Sequence, residues 1–338
     1  MTTRWKRYAA GGLALLLAVG ICACAPAAGG PPPASAVPVP NSAAPAPAAS
    51  VPAADGTVAF TDALGRELTL AAGPQRVAAM IGSFADVWCL AGGKESIVAA
   101  AEDAWTQFDL GLSEDVLSLG AVKEPNAEVL LSVQPDLVIA SAKTEAAVAL
   151  LPTLEKAGVP VAYFDISSLE DYLDMLDICT RLTGRTENYD RYGTSVIAQV
   201  DAARARAQGQ EGTEVLYVRA TGSTCKVKNS KNTVLGEMLA DLGCVNIADS
   251  DESLLENLSM EAILAADPDK IFIVMQGSDQ AKVQNTLEQS LLSNPAWQQL
   301  SAVQAGEVYY MDQSLYNVKP NARWGEAYEG LADILYGG

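Results

Sequence analysis

Glu128-Val-Leu-Leu-Ser-Val-Gln-Pro135-Asp136-Leu-Val-Ile-Ala140 is answered 133 positions later by Glu261-Ala-Ile-Leu-Ala-Ala-Asp-Pro268-Asp269-Lys-Ile-Phe-Ile273. In both copies a glutamate opens a helix, and Pro-Asp follows at the same spacing before an apolar strand. The separation is too large for a solenoid period, so the pair reads as two lobes built on one plan. A polar residue, Asn126 or Ser259, stands where each helix needs its N-cap. Glu128 and Glu261 fall in the first turn, where the helix dipole favours a carboxylate and leaves it exposed.

Working outward, short apolar runs alternate with helical patterns. Val58–Leu70 reads as a β-hairpin turning at Asp62-Ala-Leu-Gly65-Arg66. Further strands are expected at Arg76–Met80, Ile97–Ala101, Leu137–Ala140, Val161–Phe164, Glu214–Arg219, Lys270–Met275 and Glu307–Met311. Strands alternating with helices argue for parallel sheets covered on both faces. Ser168–Gly184 reads as an amphipathic helix. Thr186–Gln208 lacks proline and, as one helix, would span roughly 34 Å, enough to run from lobe to lobe. The expected fold class is α/β: two Rossmann-like lobes, 55–185 and 209–338, joined by a single long bridging helix at 186–208, with the ligand cleft between them.

The first fifty residues carry an address. Arg4, Lys6 and Arg7 precede an apolar stretch from Gly12 to Ala23, the pattern of an export signal too short to span a membrane. Its end, Ile21-Cys22-Ala23-Cys24, resembles a bacterial lipobox. Residues 1–23 are therefore expected to be a lipoprotein signal peptide and Cys24 the acylated residue. A plain secretory signal cleaved near Ala28 is the alternative. Residues 24–54, almost wholly Ala, Pro, Gly, Ser and Val, read as an extended linker. The expected location is the outer face of the cell membrane, held only through the lipid.

Composition removes several function classes. The formal net charge is −19, and −22 once the three basic signal residues are set aside, which disfavours nucleic acid and electrostatic membrane adsorption. There is no histidine, so Ser-His-Asp and Cys-His catalysis are out and the usual zinc sites are disfavoured. No nucleophile motif appears, and a tethered hydrolase would need two cleft carboxylates. Cys89, Cys179, Cys225 and Cys244 are widely spaced without a CxxC; Cys225–Cys244 or Cys89–Cys179 disulfides and buried free thiols are both open.

The body resembles the bacterial solute-binding proteins for iron-siderophore, haem and cobalamin uptake. The landmarks are Thr61-Asp62-Ala63-Leu64-Gly65-Arg66, Pro74-Gln75-Arg76-Val77, Gly120…Asn126-Ala127-Glu128, Gln134–Ala140 and Leu154–Val161, then Ser259-Met260-Glu261…Pro268-Asp269, Pro295-Ala296-Trp297 and Glu307-Val308-Tyr309. The resemblance covers the chain from about Val58 onward, and its specificity lies in the order and spacing of these pieces. It implies a binding protein rather than an enzyme, an ABC permease dimer with its ATPase as partner, and Glu128 and Glu261 docking against permease arginines. The ligand would lie between the lobes, at the carboxyl ends of strands. The expected ligand-binding residues are Phe84, Trp105, Lys123, Lys143, Arg219, Lys226, Lys228, Tyr316, Arg323 and Trp324. So many cations beside aromatic rings in an acidic protein suit an anionic ligand, a ferric siderophore or similar iron chelate. Haem, with Tyr310, Tyr316, Met80 or Met275 as axial ligand, and cobalamin are the alternatives; no resident cofactor or metal is expected.

Overall fold

The computed structural model describes residues 56–337 apart from 252 and 257; the signal, Cys24 and the linker fall outside the described residues. β1 (Thr57–Thr61) and β2 (Glu67–Ala71) form the expected antiparallel hairpin, with Thr61 opposite Glu67. Its turn is held by Asp62, whose Oδ1 accepts the Leu64 and Arg66 backbone N–H at 3.0 Å each. Arg66 reaches on to the Val161 carbonyl at 2.8 Å, fixing the hairpin to the lobe behind it.

The first sheet contains β3 (Val77–Ala79), β4 (Ile97–Ala100), β5 (Leu117–Ser118), β6 (Leu137–Ser141) and β7 (Val161–Phe164), in the order β5-β4-β3-β6-β7 with every pair parallel. All residues of β3, β6 and β7 are buried, as a sheet covered on both faces requires. The second contains β8 (Glu214–Ala220), β9 (Cys225–Lys228), β10 (Val245–Asn246), β11 (Lys270–Met275) and β12 (Val308–Met311). Its parallel order is β10-β8-β11-β12, and β9 runs antiparallel to β8. β5, β9 and β10 are additions to the strands expected from the sequence.

The repeated segment does the same mechanical work twice. Asn126 Oδ1 accepts the N–H of Glu128 and Val129 at 3.0 Å, and Ser259 Oγ accepts that of Ala262 at 3.3 Å, so both helices are capped as expected. Gln134 (φ 46°) and Asp267 (φ 42°) both turn left-handed immediately before their prolines. The aspartates that follow staple the next strand over. Asp136 accepts the N–H of Gln75 at 2.8 Å and Arg76 at 3.0 Å, just ahead of β3; Asp269 accepts that of Glu214 at 2.9 Å, the first residue of β8.

Between the sheets, Leu169–Thr183 is a helix with a Ser168/Asp171 capping box, ended by Gly184 in the left-handed region. Glu187–Ala207 is helical throughout but not uniformly α: Asp190–Thr194 forms a wider π-type turn. Gly193 sits in that turn, where a Cβ would come within 3.2 Å of the Tyr189 ring. The helix Trp324–Tyr336 returns to lie along Ser195–Ala207. Arg206 pairs with Asp333 at 2.7 Å and bonds the Ala332 carbonyl at 3.0 Å. Arg204 reaches Glu170 at 3.2 Å and Asp241 at 2.6 Å, joining helices on either side of the bridging segment.

Alternate residues of the central strands enter different cores. Val215, Tyr217, Phe272 and Val274 join Val77, Phe84, Trp88, Val200, Trp324 and Leu331 in one apolar cluster shared by both lobes. Leu216, Val218, Ile271 and Ile273 build a core on the far face of the second sheet, while Ala78, Met80, Val138 and Ala140 build one on the far face of the first. Cys89, Cys179, Cys225 and Cys244 are all free thiols. Among the described residues, no helix is long and apolar enough to cross a membrane.

Candidate functional site

In doubly wound sheets, ligands are held beyond the carboxyl ends of the strands, because the loops there diverge and helix N-termini point inward. A cleft of about 360 Å³ opens at that edge. One wall is Asp86, Thr106, Gln107 and Phe108, from the helices after β3 and β4; the other is Gln313, Ser314, Val318, Lys319, Pro320 and Arg323, from the segment after β12.

The two walls differ in charge. Burial pushes the Asp86 carboxyl above its usual range, against the Asn321 side-chain amide, which pulls it down. Burial likewise raises Asp103, which accepts the Gly82 N–H at 2.8 Å. Opposite them, burial holds the Lys319 ammonium below the ordinary lysine value, with Asp165 and Asp103 opposing the shift. Arg323 is braced by a two-pronged pair with Glu326 at 2.7 and 2.9 Å, and this pairing raises its pKa.

Next to the cleft stands the β8–β9 hairpin. Its register places Arg219 opposite Lys226 and Tyr217 opposite Lys228, so all four side chains share one sheet face. Arg219 also bonds the Asn317 side chain at 3.2 Å, tying the hairpin to the segment that forms the second wall. Directly opposed like charges destabilise a strand pair. Lys228 records the crowding: burial lowers its pKa first, then Arg219 and Lys226 lower it further.

The residues expected to bind ligand separate into distinct groups. Arg323 lines the cleft; half-buried Trp105, which precedes the lining residue Thr106, is outside the lining and packs against the shared core. Arg219, Lys226 and Lys228 form the neighbouring cationic face. Lys143 is exposed and paired with Asp165 at 3.1 Å, and Lys123 is exposed outside the cleft lining. Phe84, Tyr316 and Trp324 lie in the shared core, away from the cleft lining. Each is 0–1% exposed, because each lies in or at the start of a helix whose inward face packs into the shared core. Phe84 meets Phe164 edge-on at 6.2 Å, and Tyr316 donates its hydroxyl to the Ala327 carbonyl at 3.0 Å. Asp86 is not among the expected residues: an isolated acid carries no sequence signal distinguishing a cleft wall from solvent. Glu128 and Glu261 are both exposed in the first turns of their capped helices. No group of three or more Cys, Asp or Glu among the described residues is placed to hold a metal ion.

The family described as "Periplasmic binding protein" matches residues 77–315. The chain is 27% identical over 212 residues to the Fe(3+)-citrate-binding protein YfmC of Bacillus subtilis, covering 61% of this chain and 63% of that protein, so it spans less than two thirds of that relative. It is 25% identical over 284 residues to a cobalamin-binding protein of Halobacterium salinarum, covering 79% and 73%. Among solved structures, the periplasmic heme-binding protein RhuT from Roseiflexus sp. RS-1 superposes with a TM-score of 0.63 at 24% identity, over 78% of this chain and 98% of that one, which is a likeness of fold.

Proposed function

The chain belongs to the periplasmic binding protein family, and from that premise we propose that it captures an anionic iron chelate, of the ferric citrate or siderophore type, for delivery to an ABC importer. The observation that carries this reading is the basic face Arg219, Lys226 and Lys228 beside a cleft that also presents Lys319 and Arg323. In a chain of net charge −19, opposed cations on one strand pair are costly unless a ligand's negative charge relieves them. The similarity to a protein named for ferric citrate supports the same choice. The binding protein itself performs no chemistry in this reading.

The surrounding assignments are part of the proposal. Residues 55–185 and 209–338 are the two lobes and 186–208 the bridge. Cys24 carries the lipid that tethers the protein to the outer membrane face, the linker 24–54 being its leash. Glu128 and Glu261 report the separation of the lobes to arginines of the permease dimer. A Glu128→Ala/Glu261→Ala double variant is expected to bind ligand normally and to abolish uptake; undiminished uptake refutes the docking role.

The ligand class is tested by thermal unfolding with ferric citrate, a panel of ferric siderophores, haem and cobalamin. At 100 Kd a ligand that binds only the folded state adds about 2.7 kcal/mol of stability, a shift of several degrees. Stabilisation by the anionic chelates alone supports the reading. Stabilisation by cobalamin alone replaces it, an outcome the 25% identical relative makes worth including.

A further inference from the structure

Asn321 is fully buried and sits at φ 51°, a left-handed conformation that asparagine tolerates better than most residues. It belongs to the segment after β12, between the cleft-lining Pro320 and Arg323. Its side chain nevertheless bonds the other lobe: Nδ2 donates to the Ser83 carbonyl and to Asp86 Oδ2, both at 2.8 Å. Both partners lie in the first turns of the helix Gly82–Leu90, and Asp86 lines the opposite cleft wall. Two acceptors leave no ambiguity about which end of the amide faces them. Asn321 Oδ1 has no partner, so all the hydrogen bonding of this side chain runs through Nδ2 across the cleft floor.

We propose that Asn321 is the clasp that sets the aperture of the cleft: its amide pins the second-lobe wall, Val318–Arg323, to the first-lobe helix Gly82–Leu90, and fixes the position of Asp86 in the opposite wall. The clasp sits on the cleft side of the shared core. Behind it, Arg204 and the packed helices Ser195–Ala207 and Trp324–Tyr336 already join the lobes. Losing the amide therefore loosens the mouth of the cleft while the back of the molecule stays joined. Asn321 acts through the wall it positions and through Asp86.

Asn321→Gly separates the clasp from the backbone, because glycine adopts the same φ without strain. Asn321→Asp keeps the size and the left-handed tolerance but sets an oxygen against two acceptors. Spin labels on p-acetylphenylalanine introduced in place of Glu145 and Gln284, exposed on the first and second lobes, leave the native cysteines untouched and report the distance between lobes without any ligand. Both variants are expected to broaden that distance distribution, weakening the hold between the two walls about tenfold or more, as the loss of two buried hydrogen bonds implies. A distribution in either folded variant that superimposes on that of the unsubstituted chain overturns the clasp.

The second readout rests on the chelate reading and uses ferric citrate as the probe. Asn321→Gly should release it faster, with the association rate little changed. An unchanged release rate, with binding intact, counts against the positioning of Asp86. Failure of ferric citrate to bind the unsubstituted protein refutes the chelate reading instead, and the distance measurement still decides the clasp.

Discussion

The two lobes share a skeleton and differ in what they hang on it. Each has a capped helix, a left-handed turn, a Pro-Asp staple and a buried central strand, in matching order. Where β3 pairs with parallel β4 in the first lobe, β8 in the second shares that edge between a two-residue β10 and antiparallel β9. That hairpin carries Arg219, Lys226 and Lys228, and the segment after β12 carries Lys319, Asn321 and Arg323. The first lobe contributes Asp86 and neutral residues to the cleft. The duplicated parts hold the fold; the unduplicated parts carry the positive charge beside the cleft, to which the proposed function assigns ligand selection.

That division fails most visibly if the buried aromatics turn out to be ligand contacts. Phe84→Ala should cost about 3–5 kcal/mol in denaturant unfolding, as removal of a fully buried ring does. A Phe84→Ala protein of native stability with weakened binding would reverse the assignment. Next in size, Asp136→Ala should destabilise by about 2 kcal/mol and Asp269→Ala by about 1, because the first staple accepts two backbone N–H groups and the second one. Equal losses would mean the staples are better matched than their hydrogen bonds suggest. Lys226→Ala/Lys228→Ala should change stability by less than about 0.5 kcal/mol while weakening ferric citrate binding at least about tenfold, read by titration calorimetry.

The smallest effect concerns pH. Lys319 is held below its ordinary value of 10.5 by burial, so the unfolded chain binds that proton more tightly than the folded one. The cost is full below the folded pKa and vanishes above 10.5. Stability relative to Lys319→Met should therefore rise as the pH climbs through that window, measured by paired melts. A flat difference would mean the ammonium stays well solvated. Lys319→Met should also bind ferric citrate more weakly at neutral pH.

The frame was legible in the sequence because burial on both faces writes strands as short continuous apolar runs. The expected strands Val161–Phe164 and Lys270–Met275 coincide with the observed ones residue for residue. β9 is missing from the expected strands because its lysines stand out first as ligand-binding candidates, although Cys225-Lys226-Val227-Lys228 alternates polar and apolar residues as a half-covered strand does. β5 and β10, two residues each, leave no periodicity to detect. The cleft was less legible for a different reason. Phe84, Tyr316 and Trp324 lie near strand ends, where ligand residues belong, but helices there rotate them inward, and only tertiary packing fixes that rotation. Asn321 is, in sequence, a short polar side chain after a proline; the partners its amide bonds are 235 and 238 positions away.

The pairing of Ser195–Ala207 with Trp324–Tyr336 also dictates when the molecule can be finished. Arg206 and Asp333 are 127 residues apart in the chain, and Trp324, Tyr328 and Leu331 fill the core on which both lobes rest. A growing chain can pair every strand of both sheets and still leave this seam unfilled. Its apolar lining stays open to solvent, or to a chaperone, until the helix ending at Tyr336 has emerged.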